Sequence, residues 1–176
     1  MKKILAISGS MSRESINTLL VEFTARQITD AEVEIVKLSE FESPLYSKER
    51  EMESGIPSSI LALRAKFDAA DAFILSTPEY NGSIPGGLKN TLDWISRTEG
   101  KIFQEKPVLL MAASPGGRGG KSVLDHLLAV VPYWGAKLSG TFSLPSFQQN
   151  LIDGVMSQEL RAELNRELDK FIASID

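Results

Sequence analysis

Hydrophobic and polar positions along the chain form two kinds of pattern, which predict strands and helices in turn. Continuous apolar runs of strand length suit strands that are covered on both faces, and they occur at residues 4–7, 72–75 and 108–112. Two further segments, "EVEIVKL" and "KLSGTF", alternate between apolar and polar positions, and in the second Leu138 and Phe142 are predicted to share one face. Alternation is typical of strands with a less buried side, so both segments are predicted to be sheet edges.

Apolar residues recur at helical spacing in the segments between these strands. The spacing predicts helices at residues 16–28, 60–70, 88–95, 123–131 and 160–175. Helices that alternate with strands imply an α/β fold, with a doubly wound, five-stranded parallel sheet and helices on both faces. With the second and fifth strands at the edges, the predicted order is 2-1-3-4-5. This is the flavodoxin-like arrangement, here expected as a single domain over residues 1–176.

Composition and charge narrow the function classes. The 176 residues suit one domain, and 43% hydrophobic with 24% charged residues is typical of a globular protein. The net charge of −4 argues against a nucleic-acid binder, and the lack of cysteine excludes disulfides, thiolate metal sites and a cysteine nucleophile. No apolar run approaches a membrane span, and the one in "MKKILAISGS" is too short for a signal peptide. A cytoplasmic protein without a metal site or membrane partner is therefore expected.

Three polar loops follow the core strands: "SGSMSRESIN", "STPEYNGSIPGGLKN" and "SPGGRGGKS". In the predicted fold they meet at the carboxyl ends of the strands, where ligands bind. The first loop lacks the glycine motifs of dinucleotide and nucleoside triphosphate sites. It offers a helix N-terminus, hydrogen-bond donors and one full charge, which together suit a terminal phosphate; these residues are Ser10, Ser12, Arg13, Ser15 and Asn17. The alternative is simple helix capping.

The second and third loops suit a flat aromatic ligand. "PEYNG" places Tyr80 and Asn81 between the turn-forming residues Pro78 and Gly82. "SPGGRGG" has four glycines, so backbone N–H and C=O groups can approach the polar edge of a heterocycle. The alternative is that both segments are ordinary glycine turns.

These motifs resemble those of the NADPH-dependent FMN reductases, the flavodoxin-like group that includes NAD(P)H quinone and chromate reductases. "SGSMSRESIN" resembles the phosphate loop G-S-x-R-x-x-S-x-N of that family, and "SPLY" the segment that borders its pocket. "PEYNGSIPGGLKNTLDW" is the most specific match, and "SPGGRGG" resembles the third flavin loop. The resemblance implies bound FMN, with NADPH or NADH as co-substrate.

The family's site residues carry over to matching positions. Phosphate ligands would be Ser10, Ser15 and Asn17; residues beside the ring and ribityl chain would be Pro78, Glu79, Tyr80 and Asn81; residues at the ring edge would be Ser114, Gly116 and Gly117. One departure matters, because Ser12 stands where the family has arginine and Arg13 follows one position later. Either the loop bends so that Arg13 reaches the phosphate, or the phosphate relies more on hydroxyl groups.

Enzymes of this family work by a ping-pong cycle, in which a nicotinamide reduces the flavin and a quinone, free flavin or similar small acceptor reoxidises it. The flavin carries the chemistry, so no catalytic side chain is predicted. His126 is predicted to be a packing or interface residue, and Asp93 and Trp94 to serve helix packing and subunit contact. Arg118 is a hypothetical partner of the NADPH 2′-phosphate, with a solvated loop arginine as the alternative.

Two helices carry apolar residues outside their main apolar stripes, including Trp94, Tyr133 and Trp134. This predicts a homodimer or homotetramer, as similar proteins form.

Three rival functions are compatible with this topology. A flavodoxin-type electron carrier would share the fold and FMN but is usually far more acidic than −4. A receiver-like signalling domain needs acidic residues after the first strand, where this chain has Ser8, Gly9 and Ser10. A protein with an emptied flavin site is the third.

Overall fold

A five-stranded parallel sheet forms the centre of the computed structural model, which describes residues 1–175. Its strands are β1 (Lys2–Ser8), β2 (Ala31–Lys37), β3 (Ala72–Ser76), β4 (Lys106–Ala113) and β5 (Ala136–Leu144). They lie in the order β2-β1-β3-β4-β5. The predicted flavodoxin-like α/β fold, with β2 and β5 at the edges, is therefore confirmed.

Helices connect the strands and cover both faces of the sheet. They are α1 (Ile16–Ala25), α2 (Lys48–Ser54), α3 (Ser58–Ala69), α4 (Gly86–Ile95), α5 (Lys121–Val130), α6 (Phe147–Asn150) and α7 (Gln158–Ala173). Short 3-10 turns occupy Leu38–Glu40 and Val131–Trp134, and a small hairpin joins β6 (Leu151–Ile152) to β7 (Val155–Met156). None of the helices within residues 1–175 is long and apolar enough to cross a membrane.

The sequence patterns predicted the five long helices but missed α2, α6 and the hairpin. These elements carry weak signals, since α2 buries none of its side chains and α6 has only four residues. The helix predicted over residues 16–28 ends earlier, at Ala25.

Two hydrophobic clusters lie on opposite faces of the sheet. Alternate residues of β4 enter different clusters, with Val108 and Leu110 on the side of α3, α4 and α5, and Leu109 and Met111 on the side of α1 and α7. The continuous apolar runs are buried on both faces for this reason. The carboxyl ends of β1, β3 and β4 thus lie between two packed layers of helices.

A β-bulge in β5 overturns one detail of the sequence prediction. Val108 pairs with Leu138 but Leu109 pairs with Gly140, so Ser139 is an extra residue. One extra residue reverses which face each later side chain occupies. Phe142 is therefore buried with the α1 and α7 layer, while Leu138 is 45% exposed, and the two do not share a face.

The bulge is held by a side chain of α7. The Glu167 carboxylate accepts a hydrogen bond from the Thr141 backbone N–H at 3.1 Å. A Cβ at Gly140 would lie 2.9 Å from the same carboxylate, so the approach depends on glycine. The edge strand is thereby tied to the helix that covers it.

Candidate functional site

Asn17 joins the start of α1 to the ends of two strands. Its fully buried side-chain oxygen accepts hydrogen bonds from Ser76 Oγ at 2.8 Å and from Ala113 N at 2.9 Å. Its amide nitrogen donates to the Ala113 carbonyl at 3.1 Å. Beside it, the hydroxyls of Ser8 and Thr18 lie 2.7 Å apart. These bonds fix the first turn of α1 against the carboxyl ends of β1, β3 and β4.

The first loop, residues 8–17, contains both a helix cap and free hydrogen-bond donors. Ser15 caps α1, because its Oγ accepts from the Asn17 backbone N–H at 3.2 Å. Ser10 is buried and its Oγ accepts from Ser12 N at 3.2 Å. Across residues 13–16 the backbone N–H groups find no acceptor within residues 1–175. Such a run of free donors at a helix N-terminus is suited to an anion.

The second loop, residues 76–90, begins with a tight turn. Asn81 and Gly82 both have positive φ, at 52° and 73°, which is the backbone of a type I′ turn. Tyr80 and Ser83 exchange two backbone hydrogen bonds of 3.2 and 3.1 Å across it. The Tyr80 side chain, 48% exposed, is presented beside the first loop.

Two side chains attach the second loop to α5. The Glu79 carboxylate accepts a hydrogen bond of 3.1 Å from the backbone N–H of Val123, in the first turn of that helix. The N-cap residue of α5 is Gly120, which has no side chain, so Glu79 caps the helix from a distant loop. Ser83 Oγ lies 2.9 Å from His126 Nδ1. His126 is exposed, so its predicted packing role is wrong, and its interface role stays a prediction.

The third loop, residues 114–122, divides its glycines between two roles. Gly120 has φ +75°, and a Cβ there would lie 2.7 Å from the Ala112 Cβ, so the chain needs glycine at this position. A Cβ at Gly116 or Gly117 would meet nothing within 4 Å. Gly119, with φ +61°, is equally close to its neighbours, because a Cβ there would lie 3.1 Å from Pro145 N. Gly119 and Gly120 therefore allow close packing, whereas Gly116 and Gly117 leave open space at the surface.

The three loops surround a cleft of about 270 Å³, just below the range of about 300–1,000 Å³ that is usual for ligand pockets. Of the predicted residues, those that line it are Ser10, Ser12, Ser15, Asn17, Pro78, Glu79, Tyr80 and Ser114. Those that do not line it are Arg13, Asn81, Gly116 and Gly117. The sequence analysis missed Glu14, Ile16, Ala113 and Pro115. Glu14 was detectable, because it lies between Ser12 and Ser15 in the same loop.

Asn17 and Glu79 lie at the cleft with their side chains already engaged in the scaffold. The Asn17 amide has three bonds to Ser76 and Ala113, and one Glu79 oxygen is bonded to Val123. Their predicted contacts with a cofactor stay predictions. Their observed contacts hold the loops around the cleft.

The "SPLY" segment, residues 43–46, is fastened to α4 and does not line the cleft. Asn90 accepts from Tyr46 N at 2.8 Å and donates to the Pro44 carbonyl at 3.1 Å. Trp94 Nε1 donates to the same carbonyl at 2.7 Å, and its ring meets that of Tyr46 edge-on at 5.0 Å. Trp94 is 0% exposed, so its packing role is confirmed and its predicted part in a subunit contact is wrong.

Tyr46 also belongs to a charged cluster formed by Glu51 of α2 and Arg97, two residues after the end of α4. Its hydroxyl donates to Glu51 at 3.0 Å, and Arg97 donates to the same carboxylate at 3.0 Å. The Arg97 bond lowers the pKa of Glu51, and the bond to Glu51 raises the pKa of Tyr46. The cluster stays outside the cleft and fixes the segment after β2.

The chain is similar in sequence to a known family of reductases. Residues 2–149 match the model of the NADPH-dependent FMN reductase family. The quinone reductase of Escherichia coli (strain K12) is 32% identical over 151 residues, which cover 85% of this chain and 78% of the relative. A 2-hydroxy-1,4-benzoquinone reductase of Burkholderia sp. is 31% identical over 177 residues, covering 97% of this chain and 94% of the relative.

Solved structures show the same fold. A flavoenzyme NAD(P)H:(acceptor) oxidoreductase from Paracoccus denitrificans superposes with a TM-score of 0.76 at 24% sequence identity, and 99% of each chain is covered.

Replacing Asn17 tests whether its hydrogen bonds hold α1 against the ends of β3 and β4. Asn17→Ala would leave the Ser76 hydroxyl and the Ala113 peptide without partners in a buried site, so unfolding should become easier by at least about 2 kcal/mol. Urea denaturation measures the change. Asn165→Ala, at an exposed position of α7, is the matched control and should shift stability by less than about 0.5 kcal/mol. Equal effects of both variants would contradict the assignment.

Proposed function

The chain belongs to the NADPH-dependent FMN reductase family and is therefore an FMN-dependent oxidoreductase, and on this basis we propose that it passes hydride from NADPH or NADH, through bound FMN, to a quinone or a similar small acceptor. The observation that supports this proposal most strongly is the cleft between the three loops. It lies at the carboxyl ends of the central strands, and free N–H donors mark one end of it.

The residues at the cleft fit FMN. The free backbone N–H groups of residues 13–16 and the hydroxyls of Ser10, Ser12 and Ser15 are donors for its phosphate. Pro78 and Tyr80 provide apolar surface for the ring and ribityl chain. Gly116 and Gly117 lie outside the lining and the Gly116 carbonyl already accepts from Ser146 N at 2.9 Å, so contacts of this loop with polar ring atoms would come from its N–H groups. When bound, FMN supplies the two-electron redox chemistry between the nicotinamide and the acceptor.

The chain's own contribution is to hold the loops in one arrangement. Glu79 and Ser83 bind the second loop to α5, and Asn17 binds the first loop to β3 and β4. A cleft that is ordered before binding loses less conformational entropy when a ligand enters. The half-exposed Tyr80 leaves one side of the cleft open, as an enzyme that exchanges two substrates at one site requires.

The assembly proposed for this enzyme is a homodimer or homotetramer in the cytoplasm. Its support is an apolar area at one edge of the sheet, where Tyr133 is 82% exposed and Leu138 of β5 is 45% exposed. Trp134 lies half-buried beside them. Exposed aromatic side chains of this kind are enriched at subunit interfaces.

The visible absorption spectrum tests the proposed function. The purified protein, loaded with FMN where needed, should show flavin bands that bleach when NADPH is added anaerobically and return when a benzoquinone follows. Bands that persist with both nicotinamides would favour an electron carrier. Failure to bind FMN at all would remove the proposal and leave only the fold.

Arg118 provides a test of nicotinamide selection. Its exposed guanidinium lies in the third loop and donates to Ser122 Oγ at 2.8 Å. If it pairs with the 2′-phosphate, Arg118→Ala should lower kcat/KM for NADPH about tenfold and leave NADH unaffected. Lys121→Ala, which removes a neighbouring charge paired with Asp125, is the control. An unchanged ratio of NADPH to NADH would exclude this role.

Light scattering tests the assembly. The wild type should have at least twice the monomer mass, and Tyr133→Glu should lower that mass, because it buries a charge at the proposed contact. Met52→Glu, at a similarly exposed apolar position on α2, should not. A monomeric wild type would remove the proposal.

A further inference from the structure

The charges around the cleft are unusual for a site that receives a phosphate. Its lining residues within the described chain include two carboxylates, Glu14 and Glu79, and neither lysine nor arginine. A phosphate monoester carries about −1.5 to −2 charges at neutral pH. The side chains at the cleft therefore oppose the charge of the ligand that its backbone donors attract.

The two carboxylates differ in the groups that compensate their negative charge. Glu79 accepts from Val123 N in the first turn of α5, where the helix dipole favours a negative charge. Glu14 is exposed and has neither an ion pair nor a hydrogen bond to its side chain within residues 1–175. It also sits among the free N–H groups of residues 13–16. Glu14 is thus the uncompensated charge at the phosphate end.

The arginines of the first and third loops do not offset it at the cleft. Arg13 lies between Ser12 and Glu14, yet both of these line the cleft and Arg13 does not. Residues 12–14 form a bend in which the exposed Arg13 side chain stays outside the lining residues. Arg118 is held by Ser122 outside the lining residues.

From this arrangement we infer that Glu14 is a specificity-determining residue, which weakens the binding of flavins that carry a phosphate, and that Arg13 does not serve as the phosphate's cation. The inference rests on the proposed function. The phosphate is held by backbone N–H groups and serine hydroxyls, and the Glu14 charge opposes it. Riboflavin, which lacks the phosphate, does not experience this repulsion.

Titration of the flavin-free full-length protein with FMN and with riboflavin, followed by flavin fluorescence, tests the inference. Glu14→Gln should tighten FMN roughly threefold to tenfold and leave riboflavin unchanged. Glu53→Gln, an exposed glutamate of α2 outside the cleft, should change neither affinity. Arg13→Gln should leave FMN affinity within about twofold of the wild type.

A second experiment tests the inference by placing a cation at the cleft. Ser12→Arg should tighten FMN and not riboflavin, and its FMN affinity should fall as salt rises from about 20 to 300 mM, since added ions screen the new attraction. Thermal melting of each variant shows that it is folded. A tenfold or greater loss of FMN affinity in Arg13→Gln, or no gain in Glu14→Gln, would overturn the inference while leaving the proposed function intact. Failure of the wild type to bind either flavin would overturn both.

Discussion

The buried amide of Asn17 is the contact on which the geometry of the cleft depends. One planar group bonds to the Ser76 hydroxyl at the end of β3 and to both the N–H and the C=O of Ala113 at the end of β4. A parallel sheet leaves such end groups without ladder partners, and burial without a partner is costly. Asn17 satisfies three of them at once, and in doing so it fixes the position from which α1 begins.

The second and third loops are positioned by the same principle. The α5 helix starts after Gly120, whose left-handed backbone and lack of a side chain bring the chain close to Ala112. That close approach leaves the first turn of α5 without a cap of its own, and the Glu79 carboxylate supplies one from the second loop. Each loop thus completes a hydrogen-bonding requirement of its neighbour, so the three adopt one arrangement together.

Periodicity was sufficient to predict the sheet, because strands buried on both faces read as continuous apolar runs. It was insufficient at Ser139, where one inserted residue moves Phe142 to the opposite face without changing the local pattern. In the loops, too, some features were predictable from the sequence and others were not. Ser10, Ser12 and Ser15 were predicted from their donors and do line the cleft. The scaffold bonds of Asn17 and Glu79 join residues 96 and 44 positions apart, and no local rule encodes those pairings.

The hydrogen-bonding requirement of the N–H groups at a helix start also explains how an acidic residue is tolerated beside a predicted anion site. Free N–H groups at the start of α1 carry partial positive charge, which offsets part of the repulsion from Glu14. A backbone-based site of this kind binds a phosphate through directional hydrogen bonds, which salt screens less than an exposed ion pair. In the proposed complex, recognition by geometry fixes where the flavin lies, while the charge of Glu14 limits how tightly it is held. Positioning and affinity are thereby controlled by different groups within one short loop.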